Sequence, residues 1–161
     1  REATYVNGVA TGTVIEYYPT GDTASIANYK DQVLDGYQKT WDVFLHGILK
    51  EENYKNGKRH GQFINYGQFN DTLLIENYTN GILDGYYKEF IGGEMQQEGY
   101  FLNGNKNGYW KEGWASHYQQ REGNYKDGIM IGEWIFYDTD GNKLFCAKFN
   151  EKGEVTKRKK Y

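Results

Sequence analysis

Glycine returns on a fixed beat in this chain. Gly12, Gly36, Gly61, Gly85, Gly108 and Gly132 stand 24, 25, 24, 23 and 24 residues apart. A period this short marks a repeat array, whose core is buried layer by layer rather than around one centre. Ahead of each glycine lies an aromatic, then Asn or Asp, then usually Gly: Tyr5 with Asn7-Gly8, Tyr54 with Asn56-Gly57, Tyr78 with Asn80-Gly81, Phe101 with Asn103-Gly104, and Tyr125 with Asp127-Gly128. The second copy departs, with Asp31-Gln32. Two residues after the glycines come Val14, Gln38, Phe63, Tyr87, Trp110 and Trp134, and five after come Tyr17, Trp41, Tyr66, Phe90, Gly113 and Tyr137.

The copies span residues 5–28, 29–53, 54–77, 78–100, 101–124 and 125–148, with a partial copy and basic tail over 149–161, so residues 1–161 read as a single repeat domain without linkers. Each copy has two punctuation points, the Asn-Gly or Asp-Gly corner and a polar tip such as Gly92-Gly93 or Asp138-Thr-Asp140-Gly141-Asn142. Between them lie stretches of about five to nine residues rich in Tyr, Phe, Trp, Val and Ile, the length and composition of strands. No window carries an apolar stripe at helical period. One copy therefore reads as one β-hairpin, and the chain as an all-β, elongated, single-layer antiparallel meander of about six hairpins. At roughly 4.8 Å per strand, six copies extend about 60 Å.

The corner glycines answer a conformational need, because Asn-Gly and Asp-Gly turns take positive φ at little steric cost. The later glycine of each copy is expected to leave room for a ring from the next copy. Gln32 at positive φ would cost about 1 kcal/mol or more, so that corner is expected to be rebuilt rather than strained. Gly85, in a corner, is expected to resist replacement by Val more strongly than Gly93, in a variable tip.

Composition narrows the function. A mean hydropathy of −0.89 would point to disorder were it not for 16 Tyr, 8 Phe and 4 Trp, which bury large areas per residue and imply a core made of rings. The net charge of −3 lacks the basic field of a nucleic-acid binder. No apolar run approaches a membrane span. The one cysteine, Cys146, occupies the position of Ile26 and Ile75 in other copies and reads as a small buried hydrophobe rather than a reactive thiol. The sequence starts at Arg1 rather than Met, which suggests that an N-terminal segment, an export signal, was removed. That would place the protein in the periplasm or at the cell surface, and otherwise the cytoplasm.

The pattern Tyr-x-Asn-Gly-x-x-x-Gly-x-Trp-x-x-Tyr, nearly whole from Tyr125 to Tyr137 and from Tyr54 to Tyr66, resembles the MORN repeat. The spacing near 24 residues is most similar to the bacterial MORN variant of the YwqK-like antitoxin family, and the likeness covers residues 5–150. It implies an interaction module, with an antitoxin or immunity-like role as its sharper form. Gln32, Gln38 and Gly113 depart from the pattern, which places the regularity of the second and fifth layers in question; Trp114 stands beside Gly113 as a substitute ring.

Catalytic and metal chemistry is poorly supported. No Gly-x-Ser-x-Gly occurs, and Ser116-His117 sit at a hairpin tip where serine is ordinary turn chemistry. His46, His60 and His117 fall in different copies without ligand spacing. Asp138-x-Asp140-Gly141 lacks the glycine placement and the distal Glu of a calcium loop and reads as a turn. No enzyme activity, cofactor or metal is expected. Glu51, Glu98 and Glu122 share the column of Ile26, Ile75 and Cys146, which reads as a half-exposed, solvated face. The tail Lys157-Arg158-Lys159-Lys160 reads as a guard on an open strand edge, with anionic lipid as the alternative.

The rings themselves remain. Stacked copies put Val14, Phe63, Tyr87, Trp110 and Trp134 in one row and Tyr17, Trp41, Tyr66, Phe90 and Tyr137 in another. Either the rows are core, ring upon ring, or part of them lines an accessible groove. On the groove reading Tyr66, Tyr87, Phe90, Tyr109, Trp110, Trp114, Trp134 and Tyr137 are the candidate partner-binding residues, and the function is a non-enzymatic scaffold for a protein partner. The alternative is a module that binds cell-wall glycan or a membrane surface through exposed rings.

Overall fold

A computed structural model of the chain describes residues 1–6, 8–44, 47–113 and 120–161, with the side chain of Phe69 left aside. Asn7, Leu45, His46 and residues 114–119, which include Trp114, Ser116 and His117, lie outside the described residues. The chain is all-β. Its contacts gather into two compact units, Arg1–Ile82 and Leu83–Tyr161, as expected of a repeat array in which each hairpin touches only its neighbours.

In the first unit, β1 (Glu2–Val6), β2 (Val9–Tyr17), β3 (Thr23–Lys30), β4 (Val33–Trp41), β5 (Ile48–Lys55), β7 (Gly61–Tyr66) and β8 (Thr72–Thr79) form an antiparallel meander in chain order, with β6 (Lys58–Arg59) beside β5. A 3₁₀ turn, Gln68–Asn70, precedes β8. The short β9 (Ile82–Leu83) falls at the boundary. The second unit repeats the plan with β10 (Gly85–Ile91), β11 (Glu94–Leu102), β12 (Asn105–Glu112), β13 (Arg121–Lys126), β14 (Ile129–Tyr137), β15 (Lys143–Phe149) and β16 (Val155–Lys160). Each sequence copy is one hairpin, as its punctuation implies.

The corners are turns with two successive positive φ values: Asn56 and Gly57 at 49° and 74°, Asn103 and Gly104 at 49° and 82°, Asp127 and Gly128 at 51° and 80°. This is the turn whose twist matches the flanking strands. The corner lacking glycine is not rebuilt. Asp31 and Gln32 adopt φ of 51° and 67°, and the cause is a hydrogen bond common to the copies. Gln32 N–H donates to Ala10 O at 3.2 Å, as Gly57 does to Leu34 O at 2.8 Å, Gly81 to Arg59 O at 2.8 Å, and Gly128 to Lys106 O at 2.9 Å. Gln32 is exposed, so water can take its amide when the turn opens, and keeping the bond offsets about 1 kcal/mol of the strain.

The later glycines serve bulges, not rings. Gly12, Gly108 and Gly132 all have positive φ, and a Cβ on any of them would meet nothing within 4 Å. Around them the register shifts; Asn124 pairs with Ile131 but Glu122 with Ile135, so β14 carries two more residues than β13 across that step. Gly93 has φ of 81°, so the tip chosen as a tolerant contrast to Gly85 is also conformationally demanding. A second bulge precedes the later ring of five hairpins, at Tyr17, Trp41, Tyr66, Phe90 and Tyr137. The β12/β13 hairpin, which has Gly113 at that position, pairs without a shift. The second layer stays regular despite Gln38, which pairs with Ala27 and Glu52.

Candidate functional site

The two ring rows lie on opposite faces. Side chains alternate along a strand, so an offset of three residues changes face. In the second unit the earlier row builds a ladder of Tyr87, Phe101, Trp110, Tyr125 and Trp134, with successive centroids 4.9 to 6.2 Å apart and near-perpendicular rings. Trp110 and Trp134 are 0% exposed. Their indole N–H groups donate to Tyr100 O and Asn124 O, both at 3.0 Å. Each indole lies against a glycine: a Cβ on Gly99 would come within 2.2 Å of Trp110 Cδ2, and one on Gly123 within 2.4 Å of Trp134 Cδ2. Trp110, Trp134 and the half-buried Tyr87 packed against them are therefore core, and no partner reaches the two indoles. The first unit has a smaller counterpart, Phe63 between Tyr54 and Tyr78 at 5.4 and 5.0 Å, with Arg59 above Phe63 and donating to Tyr78 Oη at 2.9 Å.

A charged network lies over the ladder of the second unit. Glu112, 7% exposed, accepts from Lys106 Nζ, from Arg121 Nε at 2.7 Å and from Tyr125 Oη at 3.1 Å. Lys106 also donates to Gln97 Oε1 at 2.9 Å and stands 4.1 Å from the Trp110 ring centroid. Gln97 Nε2 in turn donates to Glu89 Oε2 at 2.6 Å. Burial pushes the Glu112 carboxyl up, but the Lys106 and Arg121 contacts outweigh it and hold the group below its ordinary value. Burial, and next the Glu112 charge, push the Tyr125 phenol up to about 12. Glu89, Gln97, Lys106, Glu112 and Arg121 line a cleft of about 490 Å³. Lys106 and Arg121 both pair with Glu112, and Gln97 links Lys106 to Glu89, so the network braces the cover of the ladder.

The other face is open and rich in tyrosine. Tyr86 on β10 pairs across to Tyr100 on β11, their centroids 5.5 Å apart and tilted at 60°. Tyr109 on β12 completes a cleft of about 250 Å³ with them, walled by Glu98 and Lys111. Tyr100 and Tyr109 are 56% and 49% exposed. Around them Lys88 pairs with Glu98 at 2.8 Å, and Tyr137 Oη donates to Glu122 Oε1 at 2.5 Å. Desolvation, then a hydrogen bond to the same Glu122, push the Tyr109 phenol up to about 12. The glutamate column is thus not merely solvated. Glu51 pairs with Lys39 at 2.9 Å, Glu98 with Lys88, and Glu122 with tyrosine hydroxyls.

Of the candidate residues, Tyr87, Trp110 and Trp134 fall in the ladder, while Tyr109, Phe90 and Tyr137 fall on the tyrosine face of the same unit. Phe90 lies 5.3 Å below Lys88 Nζ, and Tyr137 is 7% exposed and so packs rather than presents. Tyr66 occupies the matching position in the first unit, beside Glu51 and Lys39. Trp114 lies outside the described residues. Tyr86 and Tyr100 were not among the candidates, although the odd spacing of the two rows carries the signal that separates the faces.

Asp138 accepts from the Asp140 and Asn142 amides at 3.0 and 2.8 Å, the hydrogen bonding of a turn. Cys146 is half-buried. Among the described residues no three His, Cys, Asp or Glu side chains are grouped to hold a metal ion. The chain matches no protein-family model and no curated protein.

Proposed function

We propose that the protein is a non-enzymatic repeat scaffold that binds a protein partner through the tyrosine face of Leu83–Tyr161. The observation that carries this reading is the contrast between the faces: the indoles are sealed, whereas Tyr100 and Tyr109 stay about half exposed on rigid paired strands. Tyrosines held this way offer large amphipathic contact area at little entropic cost, which suits an interface anchor. The MORN-like pattern supports an interaction module, and a bacterial antitoxin or immunity-like role is the sharper form of the same proposal. The 60° tilt of Tyr86 against Tyr100 makes a poor flat platform for a sugar ring, which favours a protein over glycan.

The test is capture from the source organism with wild type and with Tyr100→Ser/Tyr109→Ser, followed by titration of the purified captured protein. Loss of an interface anchor costs about 2 kcal/mol, roughly 30-fold in Kd, with an unchanged melting curve. A partner held equally by both proteins, or binding of insoluble glycan in its place, refutes the proposal.

A further inference from the structure

The tyrosine face changes character at its C-terminal end. Along one row, Glu98 pairs across with Lys111, Lys111 with Glu122, Glu122 with Ile135, Ile135 with Cys146 and Cys146 with Lys159. In this column Glu51 and Glu98 meet cations, as Lys39–Glu51 and Lys88–Glu98, while Ile26 and Ile75 hold the position in two other copies. At the last hairpin the column holds Cys146, so Lys159 faces no carboxylate. In the adjoining row Lys148 lies directly opposite Lys157, and like charges so placed repel. Lys148, Lys157 and Lys159 line a cleft of about 260 Å³ with Cys146 and Glu133, and none of the three forms an ion pair among the described residues. Between residues 143 and 161, seven lysines and arginines stand against two glutamates.

We propose that this cleft takes paired carboxylates from an extended acidic segment of a protein partner, supplying the opposite charge that Lys148, Lys157 and Lys159 lack. The geometry favours a strand-like segment. Lys157 and Lys159 are two residues apart on one strand, which sets their stems about 6.7 Å apart, and alternate side chains of an extended acidic peptide repeat at the same spacing. The lysines share a face with Tyr100 and Tyr109, so one partner spans both. In that respect the inference rests on the proposed function, but the cleft is testable alone.

The probe is a labelled peptide alternating glutamate and serine, titrated by fluorescence anisotropy at low and at physiological salt. It contains no ring and does not report on the tyrosines. Wild type is expected to bind with an affinity that falls as salt rises, and both Lys157→Gln/Lys159→Gln and Cys146→Glu, which adds an internal acid opposite Lys159, should weaken binding roughly tenfold. Lys152→Gln, which removes a charge from the same hairpin outside the cleft, should leave it unchanged. The proposal is overturned by no binding to wild type, by equal loss in Lys152→Gln, or by preference for inorganic phosphate or phosphatidylserine vesicles over the peptide. Melting curves of each variant separate loss of the cleft from loss of the hairpin. If Tyr100→Ser/Tyr109→Ser keeps the peptide and also keeps the captured partner, the tyrosine reading fails while the lysine cleft stands.

Discussion

Gly123→Ala tests whether the tryptophan ladder rests on bare backbone. Gly123 has no positive φ, so alanine meets no backbone strain there, and its smaller entropy loss favours folding by about 0.5–1 kcal/mol. Against this, the new Cβ would sit 2.4, 2.5 and 2.6 Å from Cδ2, Cγ and Cε2 of Trp134. The indole must withdraw by about 1 Å to regain ordinary contact. It is held by Tyr125 at 4.9 Å and by its bond to Asn124 O, and such overpacking costs about 1–3 kcal/mol with about 1 more for the hydrogen bond. The expected net loss is about 2 kcal/mol, read as a lower urea midpoint by tryptophan fluorescence and a melting point lower by about 4–8 °C. A smaller ring should relieve the clash, so Gly123→Ala within Trp134→Phe should cost about 1 kcal/mol less than within wild type. A neutral or stabilising Gly123→Ala, or a cycle without coupling, refutes the packing.

Trp110→Ala should destabilise by about 3 kcal/mol or more through its cavity while leaving partner affinity per folded molecule unchanged; an affinity loss at constant stability would return the ladder to the binding surface. Gln32→Gly should raise stability by about 0.5 kcal/mol, because relief of left-handed strain exceeds the added chain entropy, and a lower urea midpoint would contradict the assigned turn. Glu112→Gln should cost about 2 kcal/mol at neutral pH. Because the folded Glu112 value is depressed below 4.5, that contribution is present above this pH and lost as pH falls through the folded value. The gap between wild type and variant in urea melts should therefore close in acid, and a constant gap would dissolve the network.

The hairpins were legible because their punctuation is local: Asn-Gly and Asp-Gly turns report φ directly, and the spacing between them sets strand length. Local reading failed where a distant group decided the outcome. Gln32 keeps its turn through Ala10, more than twenty positions earlier, and no propensity of Gln32 announces this. The ring-bearing glycines, Gly99 and Gly123, lie outside the periodic set and are recognised only from the cross-strand tryptophans they accommodate. The charged cover of the ladder gathers Lys106, Glu112 and Arg121 from β12 and β13, and single positions in a repeat alignment do not show which will meet. The tyrosine face was more accessible, since alternation alone assigns Tyr86, Tyr100 and Tyr109 to the side away from Tyr87 and Trp110.

From Asp31-Gln32 onward the corners donate their second amide to the strand that follows the previous corner, whereas the tip at Asp138–Asn142 closes its bonds upon itself. The two ends of a hairpin are consequently unequal as places to add chain. Extra residues at Asp127-Gly128 would break the stitch to Lys106 and displace the next copy, but a foreign loop at Thr139–Gly141 would disturb only its own turn. This asymmetry gives the β14/β15 hairpin one end on which new sequence can be displayed and another that must keep its length.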